Sequence, residues 1–470
     1  MAPEEKRKLV VIGAGPGGYA AAFHAADHGL DVTLVDRAPN PGGVCLYRGC
    51  IPSKALLHIA KVISEARDLR AGGVYFEEPR IELNELRAWK ESVVGKLTGG
   101  LGHLARKRKL RYLQGTARFT AADTVSVIRG DGTEEILRLD NAILATGSVP
   151  ARIPGLPQDS PSLWDSTRAL ELPKIPRTLL VIGGGYIGLE LGSVYSALGT
   201  EVSCVEVTKG LLPGVDRDLV RPLEQRIRKS FSEILLETKV TEVRESENGL
   251  AVTVIDRNGK ATTRDFEAVL VAVGRRPTTE GLGLETTRIR LTDRGFVQVD
   301  DKRRTTEKGI FAIGDIAGNP MLAHKASAEA KTAVEAILGE RAAAFDPKAI
   351  PAVVFTDPEI AWCGLTETEA KAKEIPVKVC RFPWAASGRA TTMGRTDGLT
   401  KLILDPEDET VLGVGVVGPG AGELISEGVL AIEMGAVAAD LKESIHPHPT
   451  LSETVMEAAE SFFGHATHLY

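Results

Sequence analysis

Leu9-Val-Val-Ile-Gly-Ala-Gly-Pro-Gly-Gly18 reads as a short buried strand, a glycine turn and the entry to an alanine-rich helix running to Ala26. Val32-Thr-Leu-Val-Asp36 adds a second strand that ends in an acid. The same grammar returns in Leu179-Leu-Val-Ile-Gly-Gly-Gly-Tyr-Ile-Gly188, followed by Val202-Ser-Cys-Val-Glu206. Asp36 lies 21 residues after Gly15, and Glu206 lies 21 after Gly185. Such a turn lets backbone amides approach a pyrophosphate at a helix N-terminus, while the acid accepts ribose hydroxyls. One such glycine string is equally a tight turn with no ligand. Two copies with one spacing and the same flanks predict two dinucleotide sites in one chain, which points to an electron relay.

The rest of the chain is organised around these two units. Its 470 residues predict three or four domains. Ala142-Ile-Leu-Ala-Thr-Gly147 closes the first unit. Pro150, Pro154, Pro157, Pro161, Pro173 and Pro176 then mark a crossover too proline-rich for a regular element. Val269-Leu-Val-Ala-Val-Gly274 closes the second unit, and Gly309-Ile-Phe-Ala-Ile-Gly-Asp315 reads as a buried strand that returns to the first sheet. From about Pro351, strands and helices alternate without a nucleotide motif. The expected fold class is α/β: two Rossmann-like dinucleotide-binding domains, 1–149 and 150–276, a central segment 277–349 completing the first site, and a C-terminal α+β domain, 350–470.

Composition narrows the partners. Lys and Arg number 57 against 63 Asp and Glu, so no basic excess announces nucleic acid or an anionic membrane. No apolar run nears the roughly 18 residues of a membrane span. Met1 to Lys8 is charged rather than apolar, so a soluble chain without a secretory signal is expected. Five Cys in this length make no disulfide framework. Cys204, Cys363 and Cys380 sit singly among strand formers and read as packing thiols.

The close pair lies in Gly42-Gly-Val-Cys45-Leu-Tyr-Arg-Gly-Cys50-Ile-Pro-Ser-Lys54. Its spacing is not that of a zinc hook, and no second pair completes four ligands, so no metal is expected. On a regular helix, residues five apart rise about 7.5 Å, beyond the roughly 7 Å Cα separation a disulfide spans. A bridge therefore requires an irregular helix start, for which Gly42, Gly43 and Gly49 supply the freedom. Two unrelated packing thiols are the alternative. Lys54 lies one turn beyond Cys50 on the same face and is by itself an ordinary solvated lysine. A dithiol needs a base near neutral pH, which His supplies best. Spacing does not choose among nine His: in His448-Pro-Thr-Leu-Ser-Glu453, Thr450 and Glu453 read equally as a capping box beside Pro449.

Cys45-Leu-x-x-Gly-Cys50-Ile-Pro-Ser-Lys54 resembles the signature of the FAD-dependent pyridine nucleotide-disulfide oxidoreductases, and the likeness runs along essentially the whole chain. It is closest to the dihydrolipoamide dehydrogenase branch, through Gly183 to Glu190, Leu212 to Leu219, Val273 to Pro277, Ile310 to Asp315 and His448 to Glu453. Tyr47 and Thr278 stand where Asn is commoner. The resemblance implies that Cys50 is the thiol nearest the flavin and that Cys45 exchanges with substrate. It implies Lys54 paired with Glu190 beside the flavin, and His448, oriented by Glu453, as the acid/base from the partner subunit of a homodimer; His446 is the fallback. FAD would lie on Gly13, Gly15, Gly18 and Asp36, with Ala117 near the adenine, Thr146 and Gly147 at the exit, Asp315 on the ribityl region and Ala323 near the flavin. NAD would lie on Gly183, Gly185, Gly188, Glu206, Val240 and Gly274, with Tyr186 as a lid.

Glu206 would repel the 2′-phosphate of NADP, although Lys209 is close by. The implied reaction oxidises dihydrolipoamide, borne on a lipoyl domain, with NAD⁺. The implied partner is an acyltransferase core subunit of a 2-oxo acid dehydrogenase complex, or a glycine cleavage system, and the implied compartment is the cytoplasm. A related NAD(P)H-dependent disulfide reductase is disfavoured by Glu206, and a mercuric reductase by a tail, Ser461 to Tyr470, without a Cys pair. A non-catalytic flavin-binding redox sensor is disfavoured by intact Cys45, Cys50, Lys54, His448 and Glu453.

Overall fold

A computed structural model describes residues 8–469; the charged opening at 1–7, on which the absence of a secretory signal was read, and Tyr470 lie outside them. The chain divides into two compact units. The first gathers the residues up to Ala55, Glu82–Ala151 and Gly274–Asp346. The second gathers Leu56–Ile81, Arg152–Val273 and Pro347–Tyr470.

In the first unit, Lys8–Ile12 is the central strand of a five-stranded parallel sheet ordered Ile310–Ala312, Asn141–Leu144, Lys8–Ile12, Asp31–Asp36, Arg111–Gln114. Val11, Leu34 and Ile143 have no exposed surface, because helices Pro16–Asp27 and Ala323–Leu338 cover the sheet. Covered sheets of this kind demand uninterrupted apolar strands, and each such side chain contributes about 1.5–3 kcal/mol by leaving water. The Ile310–Ala312 strand joins beside Asn141–Leu144, the return expected for that segment. A three-stranded antiparallel meander, Thr116–Ala121, Thr124–Ile128 and Glu134–Arg138, is inserted before the exit strand.

The second unit repeats this plan: Leu163–Trp164, Ala268–Val271, Thr178–Ile182, Glu201–Val205 and Glu233–Leu235 form the same parallel order, again with an antiparallel meander, Lys239–Ser246, Gly249–Ile255 and Ala261–Phe266. The proline-rich crossover differs from expectation, for it carries strand Ser148–Pro150, strand Leu163–Trp164 and helix Ser166–Leu170. Residues 162–172 hold no proline, and Asp165 caps the short helix by accepting the Arg168 N–H at 2.8 Å.

Also in the second unit, five antiparallel strands ordered Ala352–Val354, Glu359–Gly364, Val411–Gly418, Leu399–Leu404 and Lys378–Pro383 pack on helices Ala421–Met434 and Glu453–Glu460. A charge knot ties this sheet to the second nucleotide fold. The Lys401 ammonium, 1% exposed, donates to Asp216, Asp218 and Glu367 at 2.7, 2.8 and 2.8 Å. It fills the centre of an acid triad whose spacing alone would suit a cation. Cys204, Cys363 and Cys380 are all buried, and burial pushes the first two thiols up to about 12, as packing residues require. No helix among the described residues is long and apolar enough to cross a membrane.

Candidate active site

The first glycine turn is held by contacts that exclude side chains. Gly13 has φ +97°, and a Cβ there would lie 2.4 Å from the Ala145 carbonyl oxygen. A Cβ on Gly18 would lie 1.8 Å from the Gly13 oxygen, so helix Pro16–Asp27 sits directly against the turn. Gly15 precedes that helix as its N-cap and meets nothing nearer than the Gly43 Cα, at 3.9 Å. Asp36 braces the turn: its carboxylate accepts the Ala14 N–H at 2.7 Å and the Ala38 N–H at 2.9 Å. A carboxylate has about four acceptor positions, so this brace leaves capacity for ribose hydroxyls. Ala117 is buried at the start of the meander, just after Gly115, whose N–H bonds to the Asp36 carbonyl.

The cysteine segment continues from this turn. The Gly42 N–H donates to the Ala14 carbonyl at 2.7 Å, and Gly43, at φ +58°, presses so close that its Cβ would lie 2.4 Å from the Gly15 Cα. Helix Gly43–Arg48 then carries Cys45 and stops at Gly49, whose φ of −147° and ψ of −112° are not helical. Helix Cys50–Asp68 starts immediately after. The interruption is the irregular geometry that the spacing demanded, and Lys54 follows in the same unbroken helix. The Cys45 and Cys50 side chains are hydrogen bonded rather than covalently joined. That bond to Cys50, together with burial, drives the Cys45 thiol far above its ordinary value.

At the exit of the first fold, the Thr146 hydroxyl donates to the Thr278 carbonyl at 2.8 Å, and the Thr278 N–H donates to the Gly147 carbonyl at 2.9 Å. Asp315 is anchored through Ser148, which is 2% exposed: the Ser148 hydroxyl donates to Asp315 at 2.5 Å and accepts from Arg275 at 2.7 Å. The turn carrying Asp315 is itself held by Glu329. That carboxylate, with no exposed surface, accepts the Gly314 N–H at 2.6 Å and pairs with Arg303 and Lys325. Ala323 opens the helix containing Glu329. Gly274, expected with the nicotinamide site, begins the segment belonging to the first unit and accepts the Ala151 N–H.

In the second unit the turn is rebuilt. A Cβ on Gly183 would lie 2.5 Å from the Ala272 oxygen, and one on Gly188 2.2 Å from the Gly183 oxygen. Glu206, 7% exposed, repeats the brace by accepting the Gly184 and Thr208 N–H groups at 2.7 and 2.8 Å. Gly185 is the N-cap of helix Tyr186–Ala197, and Tyr186, at its first position, is 41% exposed. Glu190, inside that helix and 3% exposed, accepts the Phe355 N–H at 2.9 Å. Val240 lies in the meander strand Lys239–Ser246, where the pairing register shifts.

His448 and Glu453 meet, with Nδ1 2.9 Å from the carboxylate. The other Glu453 oxygen accepts the Thr450 N–H at 2.7 Å. Half of the capping box is therefore present. Thr450 does not supply the other half, since its hydroxyl donates to the Pro447 carbonyl and helix Glu453–Glu460 begins after Ser452. Burial opposes ionisation of Glu453, but the Thr450 N–H and His448 outweigh it and hold the carboxyl below its usual range. The His448 ring is three-quarters exposed, and no bond to its Nε2 exists among the described residues. His446 is different: both ring nitrogens are engaged, by the Ser444 carbonyl and by Glu427 at 2.7 Å.

Two motif-bearing nucleotide folds, a near cysteine pair on a broken helix and a histidine–carboxylate dyad now stand together in one chain. Residues 7–330 match the sequence profile of the pyridine nucleotide-disulphide oxidoreductases, and residues 350–459 match the dimerisation domain of that group. The chain belongs to the pyridine nucleotide-disulphide oxidoreductase family. Among relatives of this oxidoreductase, the dihydrolipoyl dehydrogenase of Haemophilus influenzae is 48% identical over 471 residues, covering 100% of this chain and 98% of its own. That of Geobacillus stearothermophilus is 45% identical over 462 residues, covering 98% and 97%. The crystal structure of LpdA from Mycobacterium tuberculosis superposes with a TM-score of 0.89 at 26% identity, covering 97% of this chain and 99% of that one. The flavoprotein disulfide reductase RclA of Escherichia coli, as its Cu(II) complex, gives 0.86 at 27% identity, covering 97% and 100%. The dimerisation domain supports a homodimer for this oxidoreductase.

Sequence reasoning missed Ser148, Arg275 and Glu329 as supports of Asp315. Arg275 lies within Val273 to Pro277, a stretch that carries only the family resemblance, and Glu329 lies in a helix without a motif. It also missed Glu427 under His446, and Glu457, which binds His468.

Proposed function

We propose that this chain oxidises dihydrolipoyl groups to lipoyl groups and passes the electron pair to NAD⁺, through the redox-active pair Cys45 and Cys50. The observation that carries the reading is the broken helix, which brings two cysteines five residues apart into hydrogen-bond contact directly after a dinucleotide turn. The cradle fits FAD: Gly13, Gly18 and Gly43 pack the turn backbone against backbone, Gly15 stays open at the helix N-terminus, Asp36 retains acceptor capacity, and Asp315 is fixed by Ser148. FAD, when bound there, supplies the two-electron step between dithiol and nicotinamide. Segments 1–149 and 277–349 would hold it, 150–276 would take NAD⁺ on the second turn, and 350–470 would pair the protomers.

The residues' own chemistry follows. His448 Nε2 takes a proton from a substrate thiol, and Glu453 at Nδ1 stabilises the resulting imidazolium. The substrate thiolate attacks Cys45 of the oxidised pair; the Cys45–Cys50 bond breaks and Cys50 leaves as a thiolate. The second substrate thiolate then displaces Cys45, releasing the cyclic disulfide and leaving the pair reduced by two electrons. In the homodimer His448 would serve the cysteines of the partner subunit. A lipoyl domain and an acyltransferase core subunit are the fitting partners, in a cytoplasmic setting.

The test is an assay of the flavin-loaded protein with dihydrolipoamide and NAD⁺, against glutathione with NADPH. Turnover of the first couple is expected. Preference for NADPH, or flavin binding without reduction of NAD⁺, would replace the proposal with a disulfide reductase or a sensor.

A further inference from the structure

Helix Glu453–Glu460 carries three carboxylates, Glu453, Glu457 and Glu460, and all three are engaged by residues outside the helix. Glu453 holds His448. One turn later Glu457, 3% exposed, binds His468 of the C-terminal tail, accepting from Nδ1 at 2.5 Å and from the backbone N–H at 3.3 Å. Glu460 accepts the Thr467 N–H at 3.0 Å, fastening the same tail. Lys378 and Lys442 sit over the rings of Phe462 and Phe463 and secure the turn from which the tail departs. Residues four apart on a helix are neighbours, with Cβ atoms about 5–6 Å apart. Two histidines are thus bound through Nδ1 to adjacent carboxylates on one helical face.

We infer that His468 is a positioning residue for the proton step: its imidazolium, clamped by Glu457, draws on the field of Glu453 and loosens the hold of Glu453 on the proton at His448. The inference rests on the assignment of His448 as the base. Besides Glu457, the charges of Glu453 and Glu460 act on the tail ring, and those of His448 and His468 act on Glu453. The Glu457 hydrogen bond and charge raise His468 above the ordinary histidine value, which favours its charged form. Removing that charge leaves Glu453 to His448 alone, which strengthens proton retention and moves the acid limb of activity to higher pH. A unit charge about 10 Å away shifts such a limb by roughly 0.3 of a pH unit in the dielectric of bulk water and by about 1 in that of a protein surface.

The experiment compares wild type, His468→Asn and His468→Lys as flavin-loaded dimers at low ionic strength. The first readout is kcat/KM for dihydrolipoamide against pH; the second is the initial rate of diethylpyrocarbonate acylation at His448 against pH, followed by peptide mass spectrometry, which needs no turnover. The Asn variant should shift both curves upward by about half a unit, and the Lys variant, which keeps the charge, should overlay wild type, with melting temperatures alike. Curves that stay in place for Asn, or that move equally for Asn and Lys, overturn the inference. A shifted acylation curve in a protein that does not turn over dihydrolipoamide would uphold the coupling and sink the activity assigned above.

Discussion

Replacing Gly43 with alanine tests whether the cysteine segment and the first glycine turn are one construction. Two costs follow from the geometry. Gly43 has φ +58°, a left-handed conformation that costs an alanine about 1–2 kcal/mol. Its new Cβ would lie 2.4 Å from the Gly15 Cα, whereas ordinary contact begins at 3.4 Å, so the backbones must part by about 1 Å. Neither partner is a side chain that can swing away, and the bond from the Gly42 N–H to the Ala14 carbonyl resists the separation. Forced overpacking costs a further 1–3 kcal/mol, roughly, for a total of about 2–5 kcal/mol. Gly73 is the control: it is also left-handed, at φ +81°, but a Cβ there meets nothing within 4 Å. Gly73→Ala should lower the melting temperature only slightly and keep one FAD per chain. Gly43→Ala should melt several degrees lower and lose most of its FAD on desalting, read from the flavin-to-protein absorbance ratio. If Gly43→Ala melts with Gly73→Ala and keeps its flavin, the close approach does not hold the cradle together.

Further outcomes are expected elsewhere. His448→Gln should lower dihydrolipoamide turnover by about 10²–10⁴-fold, while His446→Gln, which loses its Ser444 and Glu427 partners, should lower thermal stability and leave kcat within a few-fold. Ser148→Ala should weaken FAD retention about tenfold in equilibrium dialysis, the equivalent of one charge-assisted hydrogen bond at Asp315. Lys401→Met should cost about 3–5 kcal/mol by stranding buried Asp216, seen as a large drop in melting temperature, while Arg381→Met at the exposed rim should cost under about 1 kcal/mol. Asp216 is opposed by burial but held below its ordinary value of 3.8 by Lys401 and the Glu367 N–H. The stability this carboxylate contributes is present above 3.8 and lost as pH falls through its lower folded value, so wild type should lose more in an acid titration than Lys401→Met.

The parts of this molecule legible in its sequence are those in which chemistry is local. Gly13, Gly15 and Gly18 announce a strand-to-helix turn because their contacts arise within a few residues. Cys45 and Cys50 announce a broken helix because their spacing conflicts with helical geometry. The supports were illegible for the opposite reason. Ser148 reaches Asp315 across 167 positions and Arg275 across 127, and no local pattern marks either. Lys401 looks like any strand lysine until the fold surrounds it with three carboxylates. His448 was ambiguous because its Glu453 does two jobs, orienting the ring and accepting the Thr450 N–H, and sequence shows only that the residues are near. The acids Asp36 and Glu206 brace their own turns, a role that the ribose argument did not anticipate.

The break at Gly49 has an electrostatic consequence as well as a geometric one. Cys45 lies within a six-residue helix, but Cys50 is the first residue of one that runs for 19. The first turn of a helix presents N–H groups with no intrahelical acceptor, equivalent to roughly half a positive charge. An anion is favoured there; Cys45 is also in a first turn, but one backed by only six residues of aligned peptide dipoles. A single helix from Gly43 would have left Cys50 in its interior, away from any free N–H groups. By stopping one helix and starting another, the backbone makes the two thiols inequivalent before any cofactor or substrate arrives.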